Sequence, residues 1–515
     1  MAAVIGGKAL ALTLAALALL ACERPRAKKG LGRVLAPGKA QGLLASPDGS
    51  RLAWLTRCAR SPVPQAAPTC DLVALPTEGG APVRLASGVS SREGGFAFGP
   101  DGALAALADV DAAAGTGTLV LSRPGSAPER LAPFVTFFGF GNRGELGFVS
   151  AGDLYVVPPG EGALRVEGTG AVATFEFDPK APSELLARRQ AAAGGQLVRV
   201  SGGAARLESR AAAGEYAWSP DGRFVAATVR GAGGTWDLVL HSADGKAPPS
   251  TLAADVQAFA FARDGSALAF LAGMSPGRPG DLYAASLGPG AAPASVRASV
   301  LARGVGEFRF SGGAAHLAWL ESFDPRVRAG ALGVGSPGGR ASVFGKNVTA
   351  FDVSPGADRV AFLEHITSGG YSVDLRLAPF GAEGVGTVAR GVFGFEFSPD
   401  GRWLYYRANC VRNAEACDLF RVPAKGLSAG EPALRVAEAV KSFEFDRARP
   451  DRLLVGFARK DLPALDLALF DGSGLLGVDE AVSPGSARFL PPDGSRLAYV
   501  VAAPERAGVY LAPLP

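Results

Sequence analysis

Several residue patterns in this chain match ones that carry chemistry elsewhere, and each depends on its surroundings. Gly426-Leu427-Ser428-Ala429-Gly430 fits the Gly-x-Ser-x-Gly nucleophile pattern. That pattern works on a sharp turn between a strand and a helix, whereas Ser428 falls in a loop before a short apolar strand. Gly139-x-Gly141-x-x-Gly144 and Gly333-x-Gly335-x-x-Gly338 fit a dinucleotide fingerprint, but neither opens a helix after a parallel strand. With 70 glycines in 515 residues such matches arise by chance. The three histidines, His241, His316 and His365, have no Cys, His or acidic partner at metal spacing. This reading expects no catalytic residue, no metal and no cofactor.

Four charged residues are of more interest because each interrupts a pair of aromatics. They are Glu176 in Phe-Glu-Phe, Arg309 in Phe-Arg-Phe, and Glu396 and Glu444 in two further Phe-Glu-Phe segments. Period-2 spacing puts the aromatics on one strand face and the charge on the other. The four residues are therefore candidates either for a binding site in a channel or for hydrogen bonds that fix neighbouring elements.

Those segments belong to a repeat. SPDGSRLAWL from Ser46, SPDGRFVAAT from Ser219, SPDGRWLYYR from Ser398 and PPDGSRLAYV from Pro491 are the clearest of eleven copies. Weaker copies start at Gly99, Ala262 and Ser354, and degenerate ones lie near Asn142, Pro179, Gly312 and Arg447. Pro47 and Pro492 are 445 residues apart, so ten intervals average about 44.5 residues, a period typical of propeller blades. Each copy reads as four strands: an aromatic inner strand, the SPDG turn, an apolar second strand, a third strand opening on Asp-Leu, and an outer strand such as Arg84–Ala86 or Arg435–Ala437. The expected fold is an all-β propeller of about eleven four-stranded blades.

The last copy stops after its third strand, while Arg33–Ala36 reads as an outer strand with no blade of its own. An amino-terminal strand completing the last blade would close the ring and remove two exposed edges. Either one ring spans 32–515, or two consecutive rings divide at the Gly/Pro/Ala-rich stretch Leu287–Ser299, giving 32–290 and 291–515.

The amino terminus reads as an export signal over 1–21. Lys8 precedes the thirteen-residue run Ala9–Ala21, apolar except for Thr13 and too short for a membrane span, which ends at Cys22. Residues 22–31 then form a short basic tether. Of the remaining cysteines, Cys58 and Cys70 flank a loop in the first repeat, and Cys410 and Cys417 flank the same loop in the ninth. Both second cysteines begin Cys-Asp-Leu, so each pair spans one hairpin and is expected to be a disulfide. A formal charge of +4, with no basic block among aromatics, argues against nucleic acid.

Leu19-Leu20-Ala21-Cys22 resembles a bacterial lipobox, which implies that Cys22 is acylated and begins the mature protein. The SPDG strand followed by Asp-Leu-Tyr, as at Asp153–Tyr155 and Asp281–Tyr283, resembles the TolB-like, WD-like propeller repeats of bacterial envelope proteins over Arg33–Pro515. The resemblance implies a propeller but does not choose among its uses. The leading expectation is a lipid-anchored envelope propeller, on the outer membrane and facing the periplasm or the cell surface, that binds another protein without catalysis. Its alternatives are a glycan- or small-ligand-binding module and an enzyme with its site in the channel.

Overall fold

The structure, a computed structural model, describes residues 30–515 except 182, 192–193, 202–203, 210–212, 232, 313–315, 357, 367–371, 381–383, 412–415 and 427–431. Cys22 and Ser428 therefore lie outside the described residues. What is described is built of antiparallel strands, with two short 3-10 turns. Blade 1 shows the plan: Gln41–Ala45, Arg51–Ala59, Thr69–Pro76 and Val83–Ser90 pair in chain order. The inner strands of the blades that follow are Phe96–Phe98, the end of Glu129–Phe140, Val172–Phe177, Ala213–Trp218, Val256–Phe261, Glu307–Phe310, the end of Ser342–Val353, Val392–Phe397, the end of Leu434–Phe445 and Arg488–Phe489. These give eleven blades at the expected places.

Three strands differ from the expectation of separate outer and inner strands. Glu129–Phe140, Ser342–Val353 and Leu434–Phe445 each run from the outer edge of one blade into the inner strand of the next. One left-handed residue bends each of them, Phe134, Gly345 and Ala439 at φ 52°, 61° and 51°. A single residue at positive φ redirects a strand without ending it.

Packing follows from alternation: both faces of a blade are apolar, so each blade buries them on its neighbours. Among the described residues eleven apolar clusters result, one for every pair of successive blades. The cluster of Ala269, Leu271 and Leu282 with Leu317 and Trp319 joins blade 6 to blade 7 beside Leu287–Ser299. Another joins Leu43, Trp54 and Val73 of blade 1 to Ala498, Val500 and Val509 of blade 11. The contacts thus run in one unbroken circuit, 1 through 11 and back to 1. Strand Arg33–Pro37 pairs with Gly508–Pro513, so the amino-terminal strand completes blade 11 as expected.

The SPDG turns show why they recur. In blade 1 the Ser46 hydroxyl donates to Asp48 at 2.5 Å and accepts the Arg51 amide at 2.9 Å, while Asp48 also accepts the Ser50 amide. Ser219 and Ser398 make the same pair of bonds in blades 5 and 9. Gly49 has φ +69°, and a Cβ there would lie 2.1 Å from the Pro491 carbonyl oxygen of blade 11. Glycine is needed twice over, for the turn and for the approach of the adjacent turn. The arginine after the turn then reaches forward. Arg51 donates to Gly102 of blade 2, Arg223 to Gly265 of blade 6 and Arg496 to Gly49 of blade 1.

Candidate functional site

The first strands of blades 11, 1 and 2 touch one another, which places first strands on the inside of the ring. Their middle residues therefore stand around the lumen. Glu176, Arg309, Glu396 and Glu444 are all at this position and all exposed. The aromatics beside them pack between blades as expected: Phe175 meets Phe137 of blade 3 edge-on at 5.2 Å, and Phe445 meets Tyr405 of blade 9 at 5.2 Å.

The ring brings some of these charges together and leaves others apart. Arg309 donates to Glu307 at 3.0 and 2.7 Å, and its guanidinium stacks over Phe351 at 5.5 Å. Asp352, on the inner strand of blade 8, lies between the fields of Arg309 and Glu396. Blades 7, 8 and 9 thus carry Arg309, Asp352 and Glu396 in succession. Glu444 lies 4.0 Å from Arg488 of blade 11, beside a cavity of about 390 Å³ that Arg447 also lines. Glu176 stands apart from this group, next to Tyr216 of blade 5.

Burial raises the carboxyl pKa of Glu176, Asp352, Glu396 and Glu444 above the ordinary carboxylate range. The negative charge of Asp352 adds to the rise at Glu396, whereas Arg309 partly offsets it at Asp352, and Arg488 and Arg447 partly offset it at Glu444. Glu176, Glu396 and Glu444 expose surface to water yet are surrounded by protein, as in a concave, water-filled lumen. Water contact there discounts the size of the effect more than its direction. Chemically the arrangement can hold protons and attract cations. Among the described residues no three His, Cys, Asp or Glu converge to hold a metal ion.

Asp352 is absent from the sequence expectation. Its second flanking residue is Val353 rather than an aromatic, which hid the pattern. Alignment on the following Ser354-Pro355 would have found it. His241 and His365 lie within strands, and His316 stacks on Phe380 at 5.3 Å.

The opposite surface is built by loops. In an antiparallel blade alternate connections emerge on opposite faces, so the loops from second to third strand share a face with the crossings from one blade to the next. This loop face carries both disulfides, Cys58–Cys70 and Cys410–Cys417, each closing the hairpin expected for it. It exposes Phe134, Val327, Phe393 and Val411, together with Arg57, Arg60, Arg278, Arg326 and Arg328.

No family model matches the sequence, and no curated protein matches it. Solved structures do resemble the fold. A eukaryotic initiation factor is 12% identical with a TM-score of 0.39, covering 77% of this chain and 88% of that one. An oligogalacturonate lyase in complex with manganese is 14% identical at 0.31, covering 67% and 98%. The Dos1 propeller is 9% identical at 0.34, covering 64% and 91%. Likenesses this distant carry no argument about function. The protein is a β-propeller on its own strand order and packing.

Proposed function

We propose that this propeller is a lipid-anchored scaffold of the bacterial cell envelope, related to TolB-like repeats, that binds a partner protein on its loop face without catalysis. The observation that carries the reading is the composition of that face. Exposed Phe134, Val327, Phe393 and Val411 share this face with the exposed guanidiniums of Arg57, Arg60, Arg278, Arg326 and Arg328. Aromatic and arginine side chains are enriched at protein interfaces. Loops held by a rigid frame present such groups with little ordering cost, and two disulfides pin two of these hairpins. The anchor reading comes from the lipobox-like Leu19–Cys22, which would place the ring one short tether from a membrane.

The test keeps the disulfides and replaces 60–68, 273–279 and 322–328 with short Gly-Ser turns. Cross-linking on intact envelopes followed by mass spectrometry should recover a partner with the native chain and lose it with the exchanged one, while the melting curve stays cooperative. Unchanged capture by the exchanged chain, or substrate turnover by the purified protein that a single loop-face substitution abolishes, would overturn the reading.

A further inference from the structure

A cavity of about 710 Å³ opens where blade 11 meets blade 1. Its floor is the buried indole of Trp54 with Val73, part of the cluster that closes the ring. The wall is held by the Cys58–Cys70 disulfide, toward whose sulfurs the Gln41 amide donates at 3.0 and 3.5 Å. The mouth carries Lys39, Arg57 and Arg84, with Asp71 as the carboxylate among them. Asp71 lies 3.7 Å from Arg57 and 3.6 Å from Arg84, too far for a hydrogen bond to either. The two arginine side chains remain 76% and 60% exposed. Two arginines therefore share one carboxylate, with Lys39 at the same mouth, above an apolar floor.

We infer that this cavity binds an acidic peptide segment of the partner protein, with carboxylates on Lys39, Arg57 and Arg84 and an apolar side chain over Trp54. The inference rests on the scaffold reading above and names the chemistry its partner presents. Charge complementarity selects the occupant: a basic segment would meet three like charges and find only Asp71 to pair with. The volume accommodates a few side chains and so suits an extended segment entering a preformed cleft. Guanidinium forks match carboxylates in geometry as well as charge.

A fluorescein-labelled peptide of glutamates flanking one phenylalanine tests this by anisotropy on the full mature chain. Binding is expected, weakening with salt, and the same peptide with lysine or glutamine in place of glutamate should not bind. Reversing two charges with Lys39→Glu and Arg84→Glu should weaken binding by at least about tenfold. Asp71→Asn should tighten it, because the competing carboxylate is gone. Thermal melting shows whether each variant is folded. Equal binding of the glutamate and glutamine peptides, or wild-type affinity in the folded double variant, sinks the inference. Neither Lys39 nor Arg84 lies in the exchanged loops. Loss of capture on loop exchange without peptide binding therefore rejects the site alone, whereas peptide binding with capture intact after loop exchange rejects the loop face alone.

Discussion

The Arg496 guanidinium donates to the Thr77 hydroxyl oxygen at 3.2 Å, across 419 positions of sequence. A second nitrogen of the same side chain reaches the Gly49 carbonyl at 3.3 Å. Arg496 belongs to blade 11, and Thr77 and Gly49 to blade 1. Arg33, at the start of the closing strand, donates to the Thr77 carbonyl from the other side at 3.1 Å. Ring closure is thus hydrogen-bonded as well as apolar.

Arg496→Ala should lower unfolding stability by about 1.5–3 kcal/mol, the usual worth of bonds from a charged donor. Urea unfolding measures the loss, and hydrogen exchange should localise early opening to strand Arg33–Pro37. Equal protection of that strand in variant and wild type would show that closure does not depend on the Arg496 bonds.

Arg452 and Asp446 form a pair of another kind, with side chains only 5% and 1% exposed. The guanidinium also donates to the Gly494 carbonyl of blade 11. Arg452→Met leaves a buried carboxylate without its cation and should cost about 3–5 kcal/mol. Adding Asp446→Leu should recover much of that cost, because the desolvated charge goes with it. A double variant no more stable than Arg452→Met would place the role of Arg452 in its bonds to the Gly494 and Pro515 carbonyls.

The blade count, the strand order, the closing strand and both disulfide pairings were legible in the sequence, because each is a local pattern repeated at a fixed period. Proline, aspartate and glycine of the SPDG turn were legible too, since turn chemistry acts within four residues. The role of Ser46 was not: its hydroxyl bridges Asp48 and the Arg51 amide, a bond that exists only once the turn has closed. The forward reach of Arg51, Arg223 and Arg496 depends on the spacing of blades, which no single repeat encodes. Asp352 was hidden by one substitution in its flanking pair. The seam cavity joins Lys39 to Arg84, residues of unremarkable local context that only the fold brings to one mouth.

Lumen and turn carboxylates should respond to pH with opposite signs. Glu396 has a raised folded pKa, so its contribution is complete below the ordinary carboxylate range and is lost as pH rises through the folded value. Glu396→Gln should therefore stabilise the protein near neutrality, by a few tenths of a kcal/mol given its contact with water, and the gain should vanish in acid. Asp48 is held at about 2, first by the Ser46 hydroxyl and then by Ser50. Its contribution is present above the ordinary range and lost as pH falls toward 2. Asp48→Ala should cost about 1 kcal/mol at neutral pH, a figure reduced for exposure, and progressively less in acid. Parallel pH profiles for the two variants would contradict the assignment.

The two disulfides close loops with sequence separations of 12 and 7. Chain-entropy reasoning gives each about 2–3 kcal/mol. Replacing Cys58 and Cys70 together by serine should lower stability by about that amount and loosen the wall of the seam cavity, so weaker binding of the glutamate peptide should accompany it. Replacing Cys410 and Cys417, three blades away around the ring, should cost similar stability and leave peptide binding unchanged. Thiol titration of the denatured, unreduced wild-type chain should find all four of these cysteines blocked.

Acylation of Cys22, as proposed, would decide where the ring works. If Cys22 is acylated, the ring stays within one short tether of the bilayer, because the Leu31 N–H already donates a hydrogen bond to the Val478 carbonyl at 2.9 Å. Gly30 also passes so close to Asp479 that an added Cβ would lie 2.4 Å from its carboxylate. Nine residues, 22–30, then set the reach, at most about 30 Å when fully extended. One acyl chain holds a protein only marginally, and stable anchoring takes two or more hydrophobic signals. The Cys22→Ser variant should therefore leave the membrane fraction almost completely or accumulate unprocessed. Mass spectrometry of the mature amino terminus should find lipid on the wild-type chain alone. Normal maturation and full membrane retention of Cys22→Ser would overturn the anchor, while the loop face and the seam cavity would remain open to the tests above.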